Sequence, residues 1–148
     1  IIMGDADDSY NFLELSLFIE RLQAGYDMVM GNRFAGGITK GAMPWLHRYV
    51  GNPFLSSLGR FLFKNNIGDF HCGLRAFTKK CYNIINPQCN GMEFASELVA
   101  LASIHQMRIC EIPVTLYPDG RKRRPHLRSW RDGFRHMVLL YSLYLLRN

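Results

Sequence analysis

The stretch Ile1-Ile2-Met3-Gly4-Asp5-Ala6-Asp7-Asp8 places three carboxylates directly after an apolar run. The apolar residues predict a buried strand, and the carboxylates then stand at its carboxyl end. Like charges this close repel one another unless a cation neutralises them, and oxygen-rich sites suit Mg²⁺ or Mn²⁺. Ligands of open α/β sheets also bind at the carboxyl ends of strands. The stretch therefore predicts a divalent-metal site at one edge of an α/β sheet.

A second interpretation of these carboxylates is purely local. Asp8 and Ser9 are good N-cap residues for a helix predicted over residues 11–22. An EF-hand calcium loop fits less well, because its sixth position is Tyr10 rather than Gly and its twelfth is Ser16 rather than Glu. Metal binding and helix capping both stay open at this point.

Apolar periodicity predicts strands and helices that alternate along the 148 residues. Strands are predicted at 27–31, 74–78 and 107–117, and helices at 11–22, 44–65, 93–105 and 127–146. This alternation indicates an α/β sandwich with a mainly parallel or mixed sheet. Pro113 inside the last strand predicts an edge strand or a bulge. The chain begins inside an apolar strand without Met, so we expect that an N-terminal half is missing.

Positive charge is concentrated in one segment of the chain. Residues 119–136 hold seven basic side chains and two acidic ones, whereas residues 1–118 hold ten of each. Such a patch suits phosphate groups, an anionic membrane surface or nucleic acid. Aromatic residues near the patch adjoin an apolar helix rather than a stacking platform, so we expect no nucleic-acid partner.

The apolar stretch that follows the basic segment covers residues 137–146. It rises about 15 Å as a helix, roughly half of a bilayer core, and is therefore too short to span a membrane. It can dock on a membrane, begin a longer hydrophobic segment or pack on its own domain. Trp130 and Tyr141, with arginines nearby, favour an interfacial position.

Four motifs resemble, in order, those of family 2 glycosyltransferases of the polyprenyl-phosphate (dolichol-phosphate) sugar transferase type. Residues 2–7 are similar to a strand with its DxD motif, 27–34 to the next strand, 68–77 to the acceptor-side loop, and 111–114 to the strand before a basic segment.

The resemblance implies a glycosyltransferase A-type fold, a Rossmann-like mixed sheet flanked by helices, whose N-terminal nucleotide-binding half is missing. Residues 1–126 then form the metal- and acceptor-binding half of the catalytic domain. Residues 127–148 form an amphipathic juxtamembrane helix.

The resemblance also implies roles for residues on the donor side. Asp5 and Asp7 hold a Mg²⁺ or Mn²⁺ ion that bridges the diphosphate of a nucleotide sugar. Arg33 binds donor phosphate, and its alternative is a salt bridge to Asp5 or Asp8. Asp69 is the catalytic carboxylate: a general base if the acceptor is a hydroxyl, or a group that orients the sugar if the acceptor is a phosphate. Its alternative is a loop Asp that bonds its own backbone.

The resemblance places the acceptor phosphate among basic residues, namely Arg48, Arg121, Arg123 and Arg124. Relatives have Ser four residues after the first of these, where this chain has Asn52, whose amide can still donate. The alternative for residues 121–124 is a solvated run of charges.

The function implied is metal-dependent, inverting transfer of a hexose from a nucleotide-diphosphate sugar to polyprenyl (dolichyl) phosphate. It takes place on the cytoplasmic face of a membrane, with segments beyond residue 148 as an anchor. We expect the fragment itself to be inactive. Two alternatives are a glycosyltransferase for a soluble or glycan acceptor and, less favoured, a nucleic-acid-binding module. The sugar, the nucleotide and the oligomeric state stay open.

Overall fold

The computed structural model describes residues 1–120 and 129–147 of the chain. Within these residues the strands are β1 (Ile2–Met3), β2 (Met28–Asn32), β3 (Arg75–Phe77) and β4 (Ile109–Pro113). The α-helices are α1 (Leu15–Gln23), α2 (Arg33–Gly36), α3 (Asn52–Phe63), α4 (Lys79–Ile85), α5 (Phe94–Ile104) and α6 (Ser129–Leu146). A 3₁₀ turn at Phe12–Glu14 precedes α1, and a π-helix at His47–Gly51 runs directly into α3.

The strands form one mixed sheet in the order β1-β3-β2-β4. β3 is antiparallel to both of its neighbours, and β2 pairs in parallel with β4. The register places Val29 opposite Ala76 on one side and opposite Cys110 on the other. The predicted mixed sheet flanked by helices is confirmed.

Helices cover both faces of the sheet. Successive side chains of β2 point to opposite faces, so both faces offer apolar side chains on which helices pack. Met28 and Met30 pack with residues of α4 and α5, including Cys81 and Leu98. Val29 packs on the other face in a cluster that includes Phe18 of α1.

α6 packs along one side against the rest of the domain. Leu140 is fully buried and shares a cluster with Leu62 and Phe63 of α3 and Ala100 of α5. Of the three interpretations of residues 137–146, the structure shows the one in which this helix packs on its own domain. Other apolar residues of the helix stay exposed, with Leu146 at 80%.

The burial predicted for the first strand is not seen within this chain: among the described residues β1 pairs with β3, and Ile1 and Ile2 are exposed. α2 is a single helical turn whose N-terminus is capped by the Asn32 side chain, which accepts a hydrogen bond from the Ala35 N–H. Pro113 does lie in an edge strand, as predicted.

Candidate active site

Three strand ends and one loop meet at the same edge of the sheet. β1 and β2 both run antiparallel to β3, so their carboxyl ends lie beside the start of β3. β4 runs parallel to β2 and ends at the same edge. The loop of residues 68–73, called here the acceptor loop, enters β3 at this edge. Asp5, Asp7, Arg33 and Asp69 therefore all stand at one edge of the sheet.

Arg33 and Asp69 form a buried ion pair at the centre of this edge. The guanidinium donates from Nε to Oδ2 at 2.7 Å and from Nη2 to Oδ1 at 2.8 Å. The backbone N–H of Arg33 also donates to Oδ2, at 3.1 Å. A bidentate pair of this kind fixes orientation as well as charge. The alternative salt bridge of Arg33 to Asp5 or Asp8 is wrong, because the structure gives the partner as Asp69.

The ion pair keeps Asp69 charged. Burial alone would raise the pKa of Asp69, but hydrogen bonds and charge from Arg33 outweigh burial and hold that pKa below its ordinary value. The His71 N–H also donates to this carboxylate, at 3.2 Å. A carboxylate with a lowered pKa and this many donors is a weak proton acceptor. With these partners, Asp69 is better suited to orienting a bound molecule than to removing a proton from it.

Three further side chains hold the acceptor loop, and sequence reasoning gave none of them a role. Glu111 of β4 accepts hydrogen bonds at Oε1 from the N–H groups of Gly68 and Asp69, both at 2.9 Å. The buried Tyr10 hydroxyl accepts from the Gly73 N–H at 3.1 Å. Ser56 of α3 accepts from the loop backbone at residue 70, at 3.2 Å. The one sequence signal for Glu111 was its position between apolar residues of a predicted strand, because a carboxylate there needs hydrogen-bond donors.

Asp5 and Asp7 lie just beyond the end of β1. A Cβ added to Gly73 would stand 1.9 Å from Oδ2 of Asp5, so this carboxylate rests on the backbone of the acceptor loop. Asp7 accepts at Oδ1 from the N–H and the hydroxyl of Ser9. The Asp5 carboxylate at the end of β1 is thus in contact with the acceptor loop.

The proposed capping role of Asp8 is wrong. Asp8 has a φ of +62°, in the left-handed region, and turns the chain. Asn11 is the residue that caps the following 3₁₀ turn, by accepting from the Leu13 N–H at 3.1 Å. Asp8 is exposed at the bend between the β1 carboxylates and that turn.

The carboxylate pair fits a magnesium or manganese ion that shares its ligands with a substrate. Mg²⁺ is commonly bound by one or two carboxylates together with substrate phosphates. Asp5 and Asp7 supply hard oxygen atoms on the open side of the edge. Among residues 1–120 and 129–147, no group of three or more His, Cys, Asp or Glu is placed to hold a metal ion by itself.

The basic segment begins next to the carboxylates. The Gly120 N–H donates to the carbonyl of Asp7 at 2.9 Å, and the Tyr117 N–H donates to the carbonyl of Ser9 at 2.9 Å. The chain therefore enters residues 121–128 from the edge that carries Asp5, Asp7 and Asp69. Three predicted phosphate ligands lie outside the described residues: Arg121, Arg123 and Arg124.

Arg48 and His47 lie on the π-helix that precedes α3. Arg48 donates from Nη1 to the carbonyl of Ile38 at 3.3 Å, and Ile38 in turn pairs with Leu116 beyond β4. Burial, with the positive charge of Arg33, lowers the pKa of His47.

Large apolar side chains are exposed on α3, on the segment before it and on α6, which packs against α3. The most exposed of them are Phe61 at 81%, Leu146 at 80%, Trp45 at 68%, Phe134 at 63% and Tyr141 at 60%, and Tyr49 is exposed as well. In residues 1–120 and 129–147, none of the helices has the length and apolar character needed to cross a bilayer.

The fold is a mixed α/β domain with its candidate site at one edge of the sheet, and the family comparison identifies the class to which this domain belongs. The model of glycosyl transferase family 2 matches residues 1–84. The chain belongs to glycosyl transferase family 2. The resemblance on which the site residues were chosen is thereby confirmed at the level of the family.

Three relatives extend the comparison beyond residue 84. The low-salt glycan biosynthesis hexosyltransferase Agl6 of Haloferax volcanii is 38% identical over 93% of this chain and 33% of its own length. The dolichyl-phosphate hexose transferase of the same organism is 32% identical over 77% of this chain and 48% of its own. The polyprenol monophosphomannose synthase of Mycolicibacterium smegmatis is 30% identical over 78% and 44%, respectively. The chain spans between a third and a half of the length of these relatives.

Proposed function

We propose that this chain is the metal- and acceptor-binding part of an enzyme that transfers a hexose from a nucleotide-diphosphate sugar to polyprenyl phosphate. One observation carries the proposal: the Gly120 N–H bonds to Asp7, so the basic segment starts at the edge that holds the carboxylates. The residues proposed to hold the metal and those proposed to bind phosphate would thereby be neighbours. Two relatives, named a dolichyl-phosphate hexose transferase and a polyprenol monophosphomannose synthase, support the choice of acceptor.

Asp5 and Asp7 would hold Mg²⁺ or Mn²⁺ with the donor diphosphate. The metal supplies charge that stabilises the departing nucleoside diphosphate. Asp69 and Arg33 form a buried charged pair at the same edge of the sheet. Because a phosphate acceptor is already anionic, it needs positioning more than deprotonation, and a carboxylate of lowered pKa suits that task.

A membrane location is supported by the charge pattern around the exposed apolar residues. The sequence from residue 34 to residue 68 contains four basic side chains and not one acidic side chain. This segment carries Trp45, Tyr49 and Phe61, which are exposed. Aromatic and basic side chains together favour the interface of an anionic bilayer. On this basis we propose that the protein acts at the cytoplasmic face of a membrane.

A glycan acceptor is the second candidate. The relative with 38% identity is named a hexosyltransferase of glycan biosynthesis, with no lipid in its name. The two candidates share the donor site and differ in what binds beside the basic segment.

The test compares acceptors for the full-length protein that contains this chain. We expect labelled hexose from a panel of nucleotide sugars to appear on dolichyl phosphate, with Mn²⁺ present. Replacing Arg121, Lys122, Arg123 and Arg124 by Gln should raise the KM for dolichyl phosphate tenfold or more and leave the KM for the nucleotide sugar unchanged.

A matched control removes four positive charges from the opposite edge of the sheet. These are Arg21, Lys79, Lys80 and Arg108, at the end of α1, the start of α4 and the start of β4. The control variant should keep the KM of the wild type for the lipid. Transfer to a soluble glycan but not to dolichyl phosphate would contradict the lipid acceptor and favour the second candidate.

A further inference from the structure

A buried chain of three polar side chains joins the acceptor loop to α6. Ser96 of α5 stands between two histidines: its hydroxyl lies 2.9 Å from Nε2 of His71 and 2.8 Å from Nδ1 of His136. The two imidazole rings meet edge to face with centroids 4.8 Å apart. Ser96 is fully buried and His136 is 5% exposed. The chain of contacts therefore crosses the interior from the loop through α5 to α6.

The buried Nδ1 of His71 determines the direction of the hydrogen bonds that link His71, Ser96 and His136. Nδ1 of His71 is buried and has no hydrogen-bond partner among the described residues. A buried N–H without a partner is costly, so the proton of the neutral ring belongs on Nε2. Nε2 then donates to the Ser96 hydroxyl, and that hydroxyl donates to Nδ1 of His136. His136 is the terminal acceptor of the chain.

Both ends of the chain are attached to parts of the candidate site. At one end, the backbone N–H of His71 donates to Asp69. The loop is tied to α5 a second time, because Arg75 donates to the carbonyls of Cys72 and Ala95. At the other end, α6 contains the last part of the basic segment, residues 129–136, in which His136 lies.

We propose that His136 is a positioning residue that couples the placement of α6 to the placement of the acceptor loop. Apolar contacts such as that of Leu140, the Arg135–Glu93 ion pair and the hydrogen bond from Arg147 to the Leu62 carbonyl hold α6 against the domain, and the hydrogen-bond chain through Ser96 joins α6 to the acceptor loop. A directional hydrogen-bond chain accepts only one register, so a turn or shift of α6 breaks it and releases the His71 end of the loop. The coupling itself is independent of the reaction. Its consequence, that a ligand bound at the basic segment alters the Asp69 loop, rests on the proposed function.

Hydrogen exchange on the full-length protein tests the coupling without an activity assay. The amides of residues 68–71 and 73 are each bonded to side chains, so their exchange reports the order of the loop. His136→Ala should speed exchange in residues 68–73 tenfold or more. Because coupling is reciprocal, His71→Leu should speed exchange in residues 129–147.

Two variants separate coupling from simple loss of packing. His136→Asn places an amide oxygen close to the position of Nδ1 and should restore slow exchange in the loop. Ser103→Ala is a matched control: Ser103 lies on the same helix and accepts a hydrogen bond from Asn65, outside the chain. It should leave residues 68–73 unchanged.

Ser96→Ala serves if the histidine variants fail to fold, because it removes one oxygen atom only. It should speed exchange at both ends, in residues 68–73 and in residues 129–147. Faster exchange in α6 alone, with loop exchange as in the wild type in both His136→Ala and Ser96→Ala, would overturn the proposal.

Discussion

Asp69 accepts hydrogen bonds from Nε and Nη2 of the Arg33 guanidinium, at 2.7 and 2.8 Å, although 36 residues separate the two in sequence. The pair joins the carboxyl end of β2 to the loop before β3. With the contact of Asp5 on Gly73 and the hydrogen bonds to Glu111, it brings residues from separate motifs into one site.

Removing one member of this pair should destabilise the fold strongly. Asp69→Asn leaves the Arg33 charge buried without a counter-charge, and breaking a buried pair in this way costs about 3–5 kcal/mol. Urea unfolding of the full-length protein measures this loss. Arg33→Met combined with Asp69→Leu should cost less than the two single changes added together. Additive losses would mean that the two side chains do not depend on each other.

Adding a methyl group at Gly73 should damage the site while sparing the fold. The new Cβ would collide with the Asp5 carboxylate, at 1.9 Å, and would push that exposed side chain away from the loop. We expect Gly73→Ala to raise the Mn²⁺ concentration needed for half-maximal transfer tenfold or more, with little change in the urea midpoint.

Gly133→Ala is the control for this substitution. A Cβ at Gly133 meets no atom within 4 Å, and Ala in a helix is worth roughly 0.5–1 kcal/mol over Gly. The control should be as active as the wild type and slightly more stable. An unchanged metal requirement in Gly73→Ala would show that Asp5 does not need its place on the loop.

The buried histidines should make the fold sensitive to mild acid. Burial and the neighbouring His136 lower the pKa of His71 to about 3, and burial lowers the pKa of His136. The groups that face these rings are Asp69, Arg33 and Arg75 around His71, and Glu93, Asp132 and Arg135 around His136. The unfolded chain binds more protons below about pH 6.5, so stability should fall as the pH drops from 7 to 5.

The limiting slope for His71 is about 1.4 kcal/mol per pH unit. His71→Gln, which keeps a donor near the Nε2 position, should flatten the fall between pH 7 and pH 5. His105 is exposed at the end of α5, so His105→Gln is the control and should leave the profile unchanged. A wild-type stability that is constant from pH 7 to pH 5 would contradict this account. Chemical denaturation at each pH is the measurement.

The sequence indicated the sheet and the clustering of site residues, because strand patterns place strand ends predictably. Asp5, Asp69 and Arg33 each follow or precede a predicted strand, and all lie at one edge. The pairing of Arg33 with Asp69 was not predicted, since it depends on the shape of the loop. Glu111 and Tyr10 were missed for the same reason. Their partners are backbone amides, and every residue except proline has one, so the sequence does not indicate which amide is bonded.

The account of α6 shows another limit of sequence. Residues 137–146 are apolar except for Ser142, and such a pattern suits a packed helix and an interfacial helix equally. Only the position of α3 and α5 decides that Leu140 is buried while Tyr141 is exposed. The positions of α1, α5 and α6 were accessible from the sequence pattern, whereas α4 and the rotation of each helix were not.

Hexose transfer by the full-length protein, measured for Asp7→Asn beside Asp27→Asn, tests the central claim most directly. Asp27 is the matched carboxylate, because it accepts from the Arg108 N–H at 2.9 Å at the opposite edge of the sheet. The account predicts that Asp7→Asn lowers Mn²⁺-dependent transfer to dolichyl phosphate at least a hundredfold and that Asp27→Asn retains it. Transfer by Asp7→Asn at the wild-type rate, or undiminished wild-type transfer in EDTA, would contradict the account.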